Sequence, residues 1–178
     1  RDINKAIHYF TLAANQNDTH AQFNLGTLYE KGLFVERDIN KAIHYFTLAA
    51  NHNDIRAQFI LGTLYEKGLF VERNINKAIY YYSLASNQND AHAQFILGNI
   101  YLEGEFVESN INKAIYYFTL SSNQNHSGAQ LNLGILYKEG EYVERDIRKA
   151  IHYFSLAANQ NHSDAQYNLG KLYLKGKY

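Results

Sequence analysis

The 178-residue sequence contains no cysteine and no proline. Without cysteine there can be no disulfide, no thiol nucleophile and no thiolate-ligated metal, and cysteine usage says nothing of the redox compartment. Average usage would give a chain of this length about nine prolines. With none, no helix interior is broken by a missing N–H and no X–Pro isomer exists. An excess of one charge is absent as well: Lys plus Arg and Asp plus Glu number 17 each, the net charge is +0 and the pI is about 7.3. So even a balance gives no general attraction to phosphate backbones or anionic membranes. No apolar run approaches the ~20 residues of a membrane span, and the opening residues do not read as a secretory leader. What is present suits a folded core: hydrophobic residues make up 46%, on a length that fits one domain. The sequence starts at Arg1 rather than Met, which reads as part of a longer protein.

Self-similarity organises the rest. RDINKAIHYF at Arg1 recurs at Arg37, then as RNINKAIYYY at Arg73, SNINKAIYYF at Ser109 and RDIRKAIHYF at Arg145, a 36-residue period. The reading is a single repeat domain over 1–178, in units 1–36, 37–72, 73–108, 109–144 and 145–178. Each unit carries two helical patterns. In the first (B), Ile3, Ala6, Ile7, Phe10 and Ala14 form one apolar stripe at helical spacing. Asp2, Asp38, Asn74, Asn110 and Asp146 stand where N-caps belong. In the second (A), Ala21, Leu25, Leu28 and Tyr29 form another stripe, closed by Gly32. Asn17, Asn53, Asn89, Asn125 and Asn161 lie between B and A, where Asn tolerates a left-handed residue. Neither helix buries its apolar face alone, so ten short helices must stack as an all-α solenoid. Gly26, Gly62, Gly98, Gly134 and Gly170 inside the A helices imply a neighbour approaching too closely for a Cβ, and Ala42 and its equivalents serve the same end on B.

Residues 21–53, AQFNLGTLYEKGLFVERDINKAIHYFTLAANHN, resemble the Sel-one-like repeat, a tetratricopeptide-related hairpin that reads A before B. Ala21, Leu25, Gly26, Tyr29, Gly32, Val35, Asp38, Lys41, Ala42, Tyr45, Ala49 and Ala50 carry the match, and five such sets run in register along the chain. The resemblance implies a right-handed superhelical α-solenoid of antiparallel helix pairs, and adaptor or scaffold work. The family has a second Gly where Phe34, Phe70, Phe106 and Tyr142 stand. An aromatic at positive φ is strained, so the expectation is a different loop path, with the ring plugged between repeats. With no cysteine, the chain is similar to the branch whose hairpins are not crosslinked.

Nothing in the sequence announces chemistry. No two of His8, His20, His44, His52, His92, His126, His152 and His162 are three or four apart, so no helix presents a chelating pair. There is no G-x-S-x-G, Walker loop or G-x-G-x-x-G. Serines and acids recur at equivalent positions, whereas an active site breaks symmetry. The expectation is no catalytic residue, no metal site and no cofactor. Tyrosine is abundant, 16 residues, in two ladders through Tyr9 and Tyr45 and through Tyr29 and Tyr65. Tyr is favoured at interfaces, but these are scaffold positions of the family, and inter-helix packing accounts for them. Asn17-Asp18-Thr19, Asn125-His126-Ser127 and Asn161-His162-Ser163 fit the glycosylation sequon, a match that arises easily by chance in so Asn-rich a chain.

The variable positions point to a partner. His20, Asn24, Thr27 and Lys31 lie at i, i+4, i+7 and i+11, off the apolar stripe of their A helix. Their equivalents are Arg56, Ile60, Thr63 and Lys67; His92, Ile96, Asn99 and Glu103; Gly128, Asn132, Ile135 and Glu139; and Asp164, Asn168, Lys171 and Lys175. In tetratricopeptide-like solenoids the A helices line the concave groove, so the resemblance makes this stripe its floor. Drift on a solvated face would produce the same variation. The reading is a non-enzymatic interaction scaffold binding a protein or peptide in the concave groove, with Ile60, Ile96 and Ile135 as anchors on its floor, off the core stripe. The alternatives are an RNA-binding helical-repeat module, which neutral charge disfavours, and a regulatory repeat region of a larger enzyme such as a protein kinase. The uncovered B helix at one end and A helix at the other are complementary, giving an expectation of head-to-tail self-stacking.

Overall fold

The computed structural model describes residues 2–105 and 107–176. Their elements are α1 (Ile3–Asn15), α2 (Thr19–Lys31), α3 (Ile39–Asn51), α4 (Ile55–Lys67), α5 (Ile75–Asn87), α6 (Ala91–Glu103), α7 (Ile111–Asn123), α8 (Ser127–Glu139), α9 (Ile147–Ala158) and α10 (Ser163–Lys175). The described residues contain no strand. Odd helices are the B pattern and even helices the A pattern. Helices of this length are marginal in isolation, so tertiary packing holds them. Side-chain oxygens of Asp2, Asp38, Asn74, Asn110 and Asp146 accept the N–H three residues on, at 3.0–3.1 Å. Asn17, Asn53, Asn89, Asn125 and Asn161 all take φ of 62–65° in the B-to-A turn.

The chain divides into two compact units, one ending at Gln88 and the other starting at Asn89. In each, an A helix packs more extensively on the B helix that follows it than on the B helix that precedes it. The first unit centres on Ala42, Phe46, Ala49, Ala57 and Leu61, the second on Ala114, Phe118, Leu133, Ala150 and Phe154, every one at most 1% exposed. The glycine-to-ring contact repeats: an ideal Cβ on Gly26, Gly62, Gly98 or Gly134 would stand 2.5–2.7 Å from the ring of Phe46, Tyr82, Phe118 or Phe154. The two tyrosine ladders merge into pairs. Tyr29 stacks on Tyr45, Tyr65 on Tyr81, Tyr101 on Tyr117 and Tyr137 on Tyr153, each with centroids 5.9 Å apart. Lys41, Lys77, Lys113 and Lys149 cover the rings of Tyr29, Tyr65, Tyr101 and Tyr137 at 4.7–5.1 Å, a cation–π contact worth about 0.5–1 kcal/mol at an exposed site.

The A-to-B loop corrects one expectation. Phe34 (φ 67°) and Phe70 (φ 65°) keep the left-handed path instead of leaving it. Nor are they plugged between repeats: Phe34 is 68% and Phe70 56% exposed. The loop is held from its ends, which is why the strain persists. Leu33 donates its N–H to the Leu28 carbonyl, the Asp38 N–H reaches the Tyr29 carbonyl, and Arg37 Nε bonds the Glu30 carbonyl. Phe70 meets the Arg37 guanidinium 4.6 Å above its ring. Tyr142 stays out of the left-handed region, and Phe106 lies outside the described residues.

A ladder of side-chain amides ties the buried glutamine of α4, α6 and α8 to the next B-to-A turn within each unit. Gln58, Gln94 and Gln130 accept at Oε1 from the side-chain amides of Gln88, Gln124 and Gln160 at 2.7–2.8 Å. The equivalent donor for Gln22 would stand at position 52, which is His, and Gln22 Oε1 is buried with no partner. His52→Gln is therefore expected to stabilise the first unit by about 1 kcal/mol, the net worth of one hydrogen bond. A denaturation midpoint no higher than that of the parent chain would reject the missing-donor explanation.

Candidate functional site

The A helices are fixed at their N-termini by Asp18, Asp54 and Asp90, which accept from Ala21, Ala57 and Ala93 N–H at 2.6–3.0 Å. In α8 the cap is His126, whose Nδ1 accepts from Ala129 N–H at 3.3 Å. Successive A helices within a unit touch along this face. Arg56, in a two-point ion pair with Asp54, places its guanidinium 3.9 Å over the Phe23 ring. Asn132 donates to Asn99 at 3.0 Å, and Lys138 donates to Asn168 at 3.0 Å.

The variable stripe divides by burial. His20, Asn24, Lys31, Arg56, Lys67, His92, Glu103, Glu139, Asp164, Lys171 and Lys175 are exposed, while Thr27, Ile60, Thr63, Ile96, Asn99, Gly128, Asn132, Ile135 and Asn168 are half-buried. Two of the supposed anchors are not remote from the core. Ile60 packs on the Phe46–Leu61 cluster and Ile135 on the Ala150–Phe154 cluster. Thr63 is also occupied: its hydroxyl oxygen lies 3.1 Å from the Tyr82 hydroxyl, which donates to Glu66 at 2.7 Å. Burial raises the Tyr82 pKa above the ordinary phenol value.

Spacing along one helix could not reveal a histidine pair that two helices form. His126 Nε2 lies 3.2 Å from His92 Nδ1, and the His126 ring stacks on Phe95 at 4.5 Å. Because Nδ1 of His126 accepts from the backbone, its proton resides on Nε2, directed at His92. Burial, then the proximity of His92, lowers the His126 pKa from 6.5. The unfolded chain thus binds this proton more readily, so stability is full above pH ~6.5, falls as pH drops through that value and levels off below the folded pKa. We expect His126→Asp, the residue found at the three preceding caps, to flatten this loss between pH 7.5 and 5.5, checked by denaturation midpoints at both values. An unchanged slope would show that another group carries it. Two imidazoles are not a chelate, and the described residues contain no group of three His, Asp or Glu arranged to hold a metal.

The second unit also contains a cleft of about 240 Å³ lined by Leu102, Ile135, Leu136, Glu139, Glu141 and Tyr142. Only Ile135 and Glu139 belong to the stripe. Leu102, Leu136, Glu141 and Tyr142 were missed because helical spacing assigns faces within one helix, whereas the cleft is closed by the ends of two helices and a loop. Its signal was nonetheless present: Leu102 occupies the place of Glu30 and Glu66, and Glu141 that of Leu33 and Leu69.

The Sel1 repeat model matches residues 1–18, 19–54, 55–90, 91–126, 127–162 and 163–178, which is four whole A–B units between two half-units. Among solved structures, a Sel1 repeat protein from Oxalobacter formigenes is 33% identical over 99% of this chain and 72% of its own, with TM-score 0.83. The protective antigen c5321 of uropathogenic Escherichia coli, described as displaying an SLR fold, is 29% identical over 96% of this chain, with TM-score 0.89. This chain spans 36% of that antigen. One curated relative, DAP3-binding cell death enhancer 1 of Rattus norvegicus, is 53% identical over 36 residues, 20% of this chain and 7% of that protein.

Proposed function

From a chain that belongs to the Sel1 repeat family along its whole length and shares its α-solenoid fold, we infer a non-enzymatic scaffold that binds a partner segment along the concave face lined by its A helices. Sel1-repeat proteins are generally protein-interaction scaffolds, and no helix among the described residues is long and apolar enough to cross a membrane. Residues 1–178 serve this role as one domain. The observation that carries the reading is that side-chain variation concentrates on the A-helix face while both scaffolding contacts, glycine on ring and tyrosine on tyrosine, repeat. That is the arrangement of a constant frame presenting changeable contacts. A regulatory repeat region of a larger enzyme would use the same face, and an RNA-binding module would need a positive groove that this charge balance does not supply.

Ile60→Asp would disturb the core, so the test uses exposed positions. Ligands selected from a random-peptide display library on the purified chain should lose affinity at least tenfold against Asn24→Arg, Lys67→Glu and Glu103→Lys combined, with helicity unchanged. Selected ligands whose contacts map to B helices would overturn the assignment. Self-stacking is a second reading with its own observation. Among the described residues nothing lies within 4 Å of a Cβ built on Gly170, whereas the four equivalent glycines each meet a ring. Phe10 stands at the ring position of α1, so a second copy could seat it on Gly170. Mass growing with concentration in light scattering, and abolished by Phe10→Ala, is expected; a constant monomer mass rejects it.

A further inference from the structure

We propose that the cleft between Leu102, Ile135, Leu136 and Tyr142, rimmed by Glu139 and Glu141, is the docking pocket for a basic peptide segment carrying one large apolar side chain. The proposal rests on the A-helix reading and gives it a partner chemistry.

The repeats supply an internal reference. At the position of Leu102 the first unit has Glu30 and Glu66, and at that of Ile135 it has Thr27 and Thr63. At the positions of Glu139 and Glu141 it has Lys31 and Lys67, and Leu33 and Leu69. Apolar surface has moved onto the helix ends, and negative charge onto the rim. Leu136 is 7% exposed at the base of the cleft, Leu102 and Ile135 are half-buried, and Tyr142 stands at the mouth 55% exposed. A volume of about 240 Å³ has room for a single large side chain rather than a folded domain.

Charge selects the occupant. Residues 30–37 and 66–73 hold four carboxylates and four cations: Glu30, Glu36, Glu66 and Glu72 against Lys31, Arg37, Lys67 and Arg73. The equivalent stretches 102–109 and 138–145 hold six carboxylates, at 103, 105, 108, 139, 141 and 144, against Lys138 and Arg145. Both cations are engaged: Lys138 Nζ lies 3.4 Å from Glu139 and donates to Asn168, and Arg145 Nε bonds the Lys138 carbonyl at 3.1 Å. Of the six, Glu139 and Glu141 line the cleft itself, and such a rim attracts Lys or Arg beside an apolar anchor and repels phosphate.

The test uses a fluorescein-labelled peptide with one leucine between two pairs of arginines, read by anisotropy at low salt. The parent chain should bind it at least tenfold more tightly than versions with glutamate for arginine or serine for leucine. Glu139→Lys with Glu141→Leu restores the first unit's residues, and Leu102→Gln removes the apolar wall. Each should fold like the parent by circular dichroism and weaken the arginine–leucine peptide at least tenfold. Equal affinity for the arginine and glutamate peptides, no binding by the parent chain, or unchanged affinity in both variants would overturn the proposal. If this probe fails while display-selected ligands still map to A helices, only the cleft is rejected. Ligands mapping to B helices would reject both.

Discussion

Phe118→Ala is expected to destabilise the second unit by about 3–5 kcal/mol, the range for removing a large buried aromatic from a core. The ring is 0% exposed, packs with Ala114, Ala129, Leu133 and Leu136, and lies across Gly98 with Phe95 tilted against it at 6.0 Å. Nothing can collapse into the vacated space from the glycine side, because Gly98 has no side chain to offer. The loss should therefore sit at the upper end of the range. Chemical denaturation followed by helicity checks it, and hydrogen exchange should report the greatest loss of protection in α6 and α7. A penalty under 1 kcal/mol would show that the ring is not a keystone of its A–B pair.

Gly98→Leu is expected to destabilise by about 1–3 kcal/mol through overpacking, against a helix-propensity gain of about 1 kcal/mol. Overpacking prevails because even a Cβ would stand 2.5 Å from the Phe118 ring, well inside the ~3.5–4.0 Å of a favourable carbon contact. The control is Gly170→Ala: with nothing among the described residues within 4 Å, it should stabilise by up to about 1 kcal/mol. Opposite signs at two glycines in equivalent sequence contexts are the expected result, read as midpoint shifts. In a Phe118→Ala background the leucine should lose most of its penalty, since it then occupies the vacated space. Equal penalties in the two backgrounds would dismiss the glycine–ring contact as the cause.

Much of this molecule is written locally. The 36-residue period, the two helices per unit, the Asp and Asn caps and the left-handed Asn turns follow from spacing rules that act over three or four residues. The glycines inside the A helices also foretold a close neighbour, since glycine costs helix stability; Gly26, Gly62, Gly98 and Gly134 meet one, and Gly170 does not among the described residues. The same locality explains the misjudged loop. Positive φ at Phe34 and Phe70 is disfavoured in isolation, yet hydrogen bonds at both ends of the loop impose it.

By itself, then, the sequence determined the helices, their boundaries, the solenoid class and the face that varies. Only the tertiary structure decided which side chains meet. It matched Tyr29 with Tyr45, set Gln88 on Gln58 and left Gln22 without its donor, brought His92 to His126, seated Ile60 and Ile135 on the core, and closed Leu102, Ile135 and Tyr142 around one cleft. The physical reason is separation. Contacts over one turn of helix are fixed by backbone geometry shared by all helices, whereas partners sixteen to forty residues apart depend on how far each helix is shifted and rotated against its neighbour. That placement is set by the sum of the packed side chains, of which no single stretch of sequence holds more than its own share.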